Sequence, residues 1–283
     1  MFAWHRHPAF LRRYGLLPHR LLNRGLAFFT AARRPAWAVQ AAIAAWARIA
    51  RIDLHDFEER TYSSIDDFFL RPLRQSARPI GRGFVSPADG LVIDAGTLGA
   101  DSRLRVKGQD LSVDRIVNGR AYDLDLSAYV GGAYAIVFLT PRGYHHVHMP
   151  ASAVVRDVRW IPGRFFPQNP AALAHVERVY ERNERAVLRC ALDDGREFLL
   201  VLVGASLIGG IHLAAMARAD WAIEGPVRVE RSYAKGDPIG YFSFGSTVIV
   251  FLPRGASERV HLGAEVHMGE PLFELRASGS GAA

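Results

Sequence analysis

The chain has 283 residues, 49% of them hydrophobic, which suffices for one large or two small domains with a real core and argues against a disordered chain. A single cysteine, Cys190, excludes an intrachain disulfide framework, argues against a cysteine-based zinc site and suits a reducing compartment. The net charge of +7 is localised: residues 1–50 carry eight arginines and no acidic residue, leaving 27 of the 35 basic residues against all 28 acidic ones. A nucleic-acid binder would spread such charge over its folded face, so none is expected as a partner.

The N-terminal segment is apolar and aromatic as well as basic. Residues 9–31 alternate apolar and basic positions on a roughly helical period, broken by Gly15 and Pro18. Pro35 can open a second helix running through Trp37 and Trp46. The longest charge-free stretch of this segment, Pro35 to Ala47, is too short to span a bilayer, and the interspersed arginines do not fit a signal peptide. Helices with arginine on one face and Trp, Phe and Leu on the other lie flat at an anionic membrane surface. The alternative is that they pack on the protein's own core. The reading is a basic amphipathic membrane-association region over 1–60, ahead of a catalytic domain over 61–283.

From about residue 80 the texture becomes β-rich. Short apolar or alternating runs predict strands at Gly90–Ala95, Tyr134–Thr140, Val154–Ile161, Ala186–Leu192, Glu197–Val203, Val227–Arg231 and Thr247–Leu252. Two segments echo each other as turn and strand: Lys235-Gly236-Asp237-Pro238-Ile239-Gly240-Tyr241-Phe242 and Met268-Gly269-Glu270-Pro271-Leu272-Phe273-Glu274-Leu275. The echo resembles barrel-sandwich folds such as lipoyl and biotinyl domains, although neither copy puts a lysine at a hairpin tip. The expected class is α+β, with a β-rich, barrel-sandwich-like catalytic domain behind N-terminal amphipathic helices. The tail Ala277–Ala283 reads as disordered.

Three clusters can carry chemistry. Ser86-Pro87-Ala88-Asp89-Gly90 reads first as a turn. In Tyr144-His145-His146-Val147-His148-Met149-Pro150, an extended chain puts His146 and His148 on one face and His145 on the other. These can be surface histidines or a His-x-His metal pair, but no carboxylate lies nearby to complete a site, so acid–base use is favoured and no metal is expected. In Phe242-Ser243-Phe244-Gly245-Ser246-Thr247, a Gly-Ser peptide precedes a strongly apolar strand, either as a simple strand start or as a strained bond with a nucleophile behind it.

In this order the clusters resemble the phosphatidylserine decarboxylase family. Ile65-Asp66-Asp67-Phe68-Phe69-Leu70-Arg71-Pro72-Leu73-Arg74 is similar to its Phe-Phe-x-Arg-x-Leu segment, followed by Arg78-Pro79-Ile80. Val106-Lys107-Gly108-Gln109-Asp110-Leu111-Ser112 is similar to its Lys-Gly-x-x-Tyr-Ser element, with Leu111 in place of tyrosine. Arg182-Asn183-Glu184-Arg185 and Val203-Gly204-Ala205 match its central motifs, so the resemblance covers about 57–275.

The resemblance implies a proenzyme that cuts itself. Asp89, His148 and Ser246 would form a triad in which His148 takes the serine proton and Asp89 orients the ring. Ser246 Oγ would attack the Gly245 carbonyl, and elimination would leave a long chain, 1–245, and a short chain, 246–283. The residue left at 246 would become a pyruvoyl cofactor, which withdraws electrons as the lipid head group loses CO2. His145 matches the histidine that returns a proton. Phosphatidylserine is the implied substrate, phosphatidylethanolamine the product, and the cytoplasmic face of the cell membrane the peripheral location; a homodimer is compatible. Phe244 and His146 depart from the family's usual residues. Two rivals are a decarboxylase of another serine-headed lipid and a serine hydrolase using the same three residues, although a Gly-x-Ser-x-Gly elbow is absent.

Overall fold

The computed structural model describes residues 19–119, 124–205, 210–217, 220, 223, 225–243 and 246–275. Residues 1–18 with their helical break, Phe244, Gly245 and the tail from 276 lie outside the described residues.

Two helices come first, α1 (His19–Thr30) and α2 (Ala36–Ala50). One side of α2 packs on the body of the protein: Val39 and Ile43 are buried against Tyr62 and Phe68, with Trp46 and Ala47 beside them. The Trp46 ring meets Phe68 edge-on at 5.7 Å and stacks on Phe69 at 5.8 Å. Gln40 Nε2 donates to the Tyr62 carbonyl at 2.7 Å. Core packing therefore accounts for one face of this helix. Trp37 lies roughly 200° round the wheel from Val39 and is 76% exposed, as are Phe28 (77%) and Phe29 (70%) on α1. Among the described residues no helix is long and apolar enough to cross a membrane.

The short helix α3 (Ile65–Phe69) is capped by Ser64, whose hydroxyl accepts from the Asp67 N–H at 3.1 Å. The strands follow as β1 (Phe84–Val85), β2 (Gly90–Thr97), β3 (Arg103–Val106) and β4 (Gln109–Ser112), then α4 (Val113–Val117). Next come β5 (Ala133–Leu139), β6 (His146–His148), β7 (Ala153–Ile161) and the one-turn helices α5 (Pro170–Leu173) and α6 (Val179–Arg182). The remainder is β8 (Arg185–Leu192), β9 (Glu197–Gly204), β10 (Gly210–Leu213), β11 (Pro226–Tyr233), β12 (Pro238–Ser243), β13 (Ser246–Phe251), β14 (Ala256–Glu258), β15 (Glu265–Val266) and β16 (Pro271–Leu275).

All seven strands expected from sequence belong to one antiparallel sheet of order β11-β7-β8-β9-β13-β5-β2-β15. Its central strands β9, β13 and β5 are almost entirely apolar because both faces are covered. On β13, Val248 and Val250 join one core while Ile249 and Phe251 join another; β9 splits the same way, Leu200 and Leu202 against Leu199, Val201 and Val203. The first core is roofed by two three-stranded sheets, β1-β16-β14 and β10-β12-β6. The second is covered by the β3–β4 hairpin and helices α4 to α6. The architecture is thus mainly β with few helices, in three layers.

The two echoing segments each form a turn leading into a strand, β12 and β16. Gly236 and Gly269 hold φ of +90° and +92°, and a Cβ at either would lie 3.0 or 3.1 Å from the Ile80 side chain. One isoleucine thus sits against both copies, and glycine is needed at each.

Candidate active site

The Ser86–Gly90 loop is fastened to the turn that precedes β16. Ser86 N–H donates to the Glu270 carbonyl at 2.7 Å, and Gly269 N–H donates back to Ser86 at 3.0 Å. A Cβ at Gly90 would fall 2.5 Å from the Phe138 carbonyl, so β2 can begin here only with glycine. The loop delivers Asp89 to a buried position. Its carboxylate accepts Met268 N–H at 2.8 Å and Arg78 Nη2 at 2.7 Å, and His267 Nδ1 lies 3.4 Å away. Burial would raise the Asp89 pKa, but the bonds from His267, Arg78 and the Met268 N–H hold it below the usual carboxylate range. Its hydrogen bond to Asp89 in turn raises His267.

The histidine cluster divides by face, as strand periodicity requires. Val147 points into the first core, and His145, two residues earlier, is fully buried on the same side. His145 Nδ1 donates to the Gly143 carbonyl at 3.0 Å, its ring lies on Phe69 with centroids 3.8 Å apart, and Nε2 is buried without a partner among the described residues. Burial, with Arg71 nearby, lowers its pKa to about 3. His146 and His148 take the other face, where Tyr144 lies against both, stacked on His146 at 4.9 Å. His146 is followed by Tyr241 and then His212, so the rings form a continuous pile ending beside Ser243.

His148 Nδ1 lies 2.7 Å from the Gly236 carbonyl. A carbonyl only accepts, so Nδ1 carries the proton and Nε2 the lone pair. That lone pair receives the Tyr144 hydroxyl at 2.9 Å. Burial lowers the His148 pKa, keeping the ring neutral at pH 7. No hydrogen bond or ion pair joins Asp89 to His148; the ring is oriented by a carbonyl, and the carboxylate is held by Arg78 and the 267–268 turn.

Ser246 heads β13, the strand flanked by β5 and β9, opposite Leu139 on one side and Gly204 on the other. It is fully buried, and its Oγ has no hydrogen-bond partner among the described residues. By alternation it shares the face of Val248 and Val250, the face roofed by β6 and β12. Phe242 N–H donates to the His145 carbonyl at 3.0 Å, which ties the inward histidine to the strand that runs toward Ser246. Behind Ser246, the Gly204 carbonyl accepts Gln168 Nε2 at 2.8 Å and Asn183 Nδ2 at 2.9 Å.

The structure thus puts His145 on the side of β6 that looks toward the large sheet and the face of Ser246, His148 on the opposite side, and Asp89 in the loop after β1; among the described residues no side-chain hydrogen bond or ion pair joins any of the three to Ser246. Gly245 lies outside the described residues. Sequence reasoning gave no role to Tyr144, Arg71, Arg78 or His267. Arg71 and Arg78 sat within quoted motifs, but nothing in spacing tied them to His145 or Asp89. Among the described residues no set of three or more His, Cys, Asp or Glu side chains converges for a metal ion.

The family model for phosphatidylserine decarboxylase matches residues 65–274. Relatives named phosphatidylserine decarboxylase proenzyme align over nearly their whole length. The protein of Psychrobacter cryohalolentis is 32% identical over 270 residues, 90% of this chain and 95% of that one. That of Pseudomonas aeruginosa is 34% identical over 280 residues, 91% and 93%. That of Brevibacillus brevis is 31% identical over 274 residues, 92% and 96%. With the match extending across the histidine segment, the Asp89 loop and Ser246, the chain belongs to the phosphatidylserine decarboxylase family.

Proposed function

We propose that this decarboxylase cuts itself between Gly245 and Ser246, carries a pyruvoyl group made from Ser246, and converts phosphatidylserine to phosphatidylethanolamine and CO2 at a membrane surface. The observation that carries the reading is the Ser246 hydroxyl: fully buried, unpartnered among the described residues and at the head of a central strand. A buried hydroxyl without a partner is costly, and such sites persist where the group reacts. The position thus fits a residue that is nucleophile first and cofactor afterwards. A pyruvoyl group there supplies a carbonyl that draws off the electron pair as CO2 departs.

The chain's own residues divide the remaining work. The family resemblance makes His148, neutral and with its lone pair on Nε2, the base for the Ser246 hydroxyl, although its ring lies on the side of β6 away from His145. Asp89 supplies negative charge beside the histidines and fastens the 267–268 turn. His145, on the face that Ser246 shares, brings a proton from Nε2 to the carbon that CO2 leaves, a contribution typically worth ~10²–10⁴-fold. Exposed Phe28, Phe29 and Trp37, together with the arginines of residues 1–50, suit peripheral docking on an anionic lipid surface at the cytoplasmic face of the cell membrane. The organisation is then a docking region to about residue 60 and a catalytic region beyond it. The paired turn-and-strand units around Ile80 support reading the small sheets as barrel-sandwich-like.

Intact mass and denaturing gels of fresh enzyme test this. Two chains are expected, split between Gly245 and Ser246, the smaller with a blocked N-terminus. Ser246→Ala should stay whole and inactive. His145→Ala should cut but decarboxylate poorly, and His148→Ala should fail to cut. Active enzyme that runs as one full-length species would overturn the mechanism and favour the hydrolase alternative.

A further inference from the structure

Arg71, just past the end of α3, is fully buried, yet none of the carboxylates among the described residues pairs with it. Its guanidinium donates to main-chain carbonyls: Phe68 at 3.2 Å, Gly143 at 2.9 Å and, through a short bond, Arg142. It lies over the rings of Phe57 at 4.3 Å and Phe68 at 5.2 Å, and its Nε has no acceptor among the described residues. Arg185 shows what a purely structural buried arginine looks like here. Its Nε, Nη1 and Nη2 all donate to carbonyls, those of Ile116, Glu181, Asn183 and Arg115. Arg71 differs in its company. The Gly143 carbonyl that accepts its Nη2 also accepts His145 Nδ1, and Phe69, two residues earlier, carries the His145 ring.

We infer that Arg71 is a positioning residue for His145: it holds the ring as the neutral Nδ1–H tautomer at rest, with Nε2 open, and makes any proton that Nε2 gathers one that is readily given up. The inference rests on reading His145 as the proton donor of the decarboxylation.

The physical reason is charge in a dry site. Burial lowers the Arg71 pKa only to about 10, so the guanidinium is positive at neutral pH. A second positive charge on the adjoining imidazole is disfavoured where the dielectric is low. The charged and titratable groups that face His145 are Arg71 from the end of α3, Asp89 from the loop after β1, and His146 on its own segment. Burial is the largest influence and Arg71 the next, both lowering the pKa; Asp89 and the Gly143 bond oppose them. Replacing the carboxylate of a serine head group by hydrogen consumes one proton for each CO2 released. That proton comes from solvent, rests on Nε2 and passes to carbon. An imidazolium pressed by Arg71 is a stronger acid for that transfer. The sign follows: removing the charge at 71 raises the His145 pKa, and keeping it as lysine does not.

The test is a histidine 15N NMR titration of the uncut Ser246→Ala precursor, with the His145 resonance assigned through His145→Gln. The parent ring should stay neutral and protonated at Nδ1 down to about pH 4. Arg71→Met should raise its midpoint by about one pH unit or more, as the loss of a close charge does, and Arg71→Lys should leave it near the parent value. In processed enzyme, the limb of kcat that needs the protonated ring should move to higher pH in Arg71→Met alone. A midpoint unmoved in Arg71→Met overturns the inference, as does an imidazolium at pH 6 in the parent, a measurement that needs no Arg71 variant to fold. Full decarboxylation by His145→Gln would instead remove the underlying reading while leaving the titration result standing.

Discussion

At the scale of single residues, the base proposed for self-cleavage is already engaged. The His148 lone pair on Nε2 receives the Tyr144 hydroxyl at 2.9 Å, while Ser246 Oγ stands without a partner among the described residues. If His148 is the base, the two hydroxyls compete for one lone pair, because Nδ1 is committed to the Gly236 carbonyl. Burial raises the Tyr144 pKa well above that of a free phenol, so the group stays a protonated donor across the working range. Tyr144 on this account restrains the reaction. Tyr144→Phe keeps the ring that stacks on His146 and removes only the competing donor. A net hydrogen bond contributes about 0.5–1.5 kcal/mol, so the variant should cut roughly 2- to 10-fold faster than the parent in a time course from rapidly purified precursor. Slower cutting would mean that the phenol passes the proton on instead.

At the scale of elements, the two N-terminal helices separate into a packed face and an exposed one. Val39, Ile43 and Trp46 attach α2 to Tyr62, Phe68 and Phe69, while Phe28, Phe29 and Trp37 are left open to solvent. Full burial of a large apolar side chain stabilises by about 1.5–3 kcal/mol. Replacing Phe28, Phe29 and Trp37 together by serine should therefore lower co-sedimentation with phosphatidylserine-containing vesicles by at least about tenfold, with self-cleavage intact. Unchanged sedimentation would point to the remaining arginines or to another surface. The same contrast shows what was legible in sequence. Strands such as β5, β9 and β13 were readable because burial on both faces makes them continuously apolar, whatever their partners. Helix α2 was readable from Pro35 and the run through Trp37 and Trp46, but not which face it buries, since Tyr62 and Phe68 come from a separate segment. The site followed the same rule: Asp89, His145, His148 and Ser246 stood out as local clusters. The clamp of Arg78 and His267 on Asp89, and the carbonyl shared by Arg71 and His145, exist only once distant segments meet.

At the scale of the whole molecule, the proposed cut falls where it cannot release its product. A short chain beginning at Ser246 would own β13, β14, β15 and β16. Strand β13 is paired along its full length with β5 on one side and β9 on the other, inside the large sheet. Strand β15 adds to the edge of the same sheet at β2, and β16 crosses to pair with β1 in the roof. Asp89 of the long chain also holds Met268 N–H and His267 of the short one, and Ser86 exchanges main-chain bonds with Glu270 and Gly269. Withdrawing the short chain would open the large sheet at its centre and strip both cores at once. Unfolding and chain separation are thus the same event. After complete processing, both chains should co-elute by size exclusion at neutral pH and in high salt, because buried main-chain pairing is little screened. They should part only across the guanidinium range in which the strand signal collapses, in one transition common to both probes. A short chain that elutes alone while the circular dichroism of the long chain is intact would show that β13 is not held between β5 and β9 after the cut.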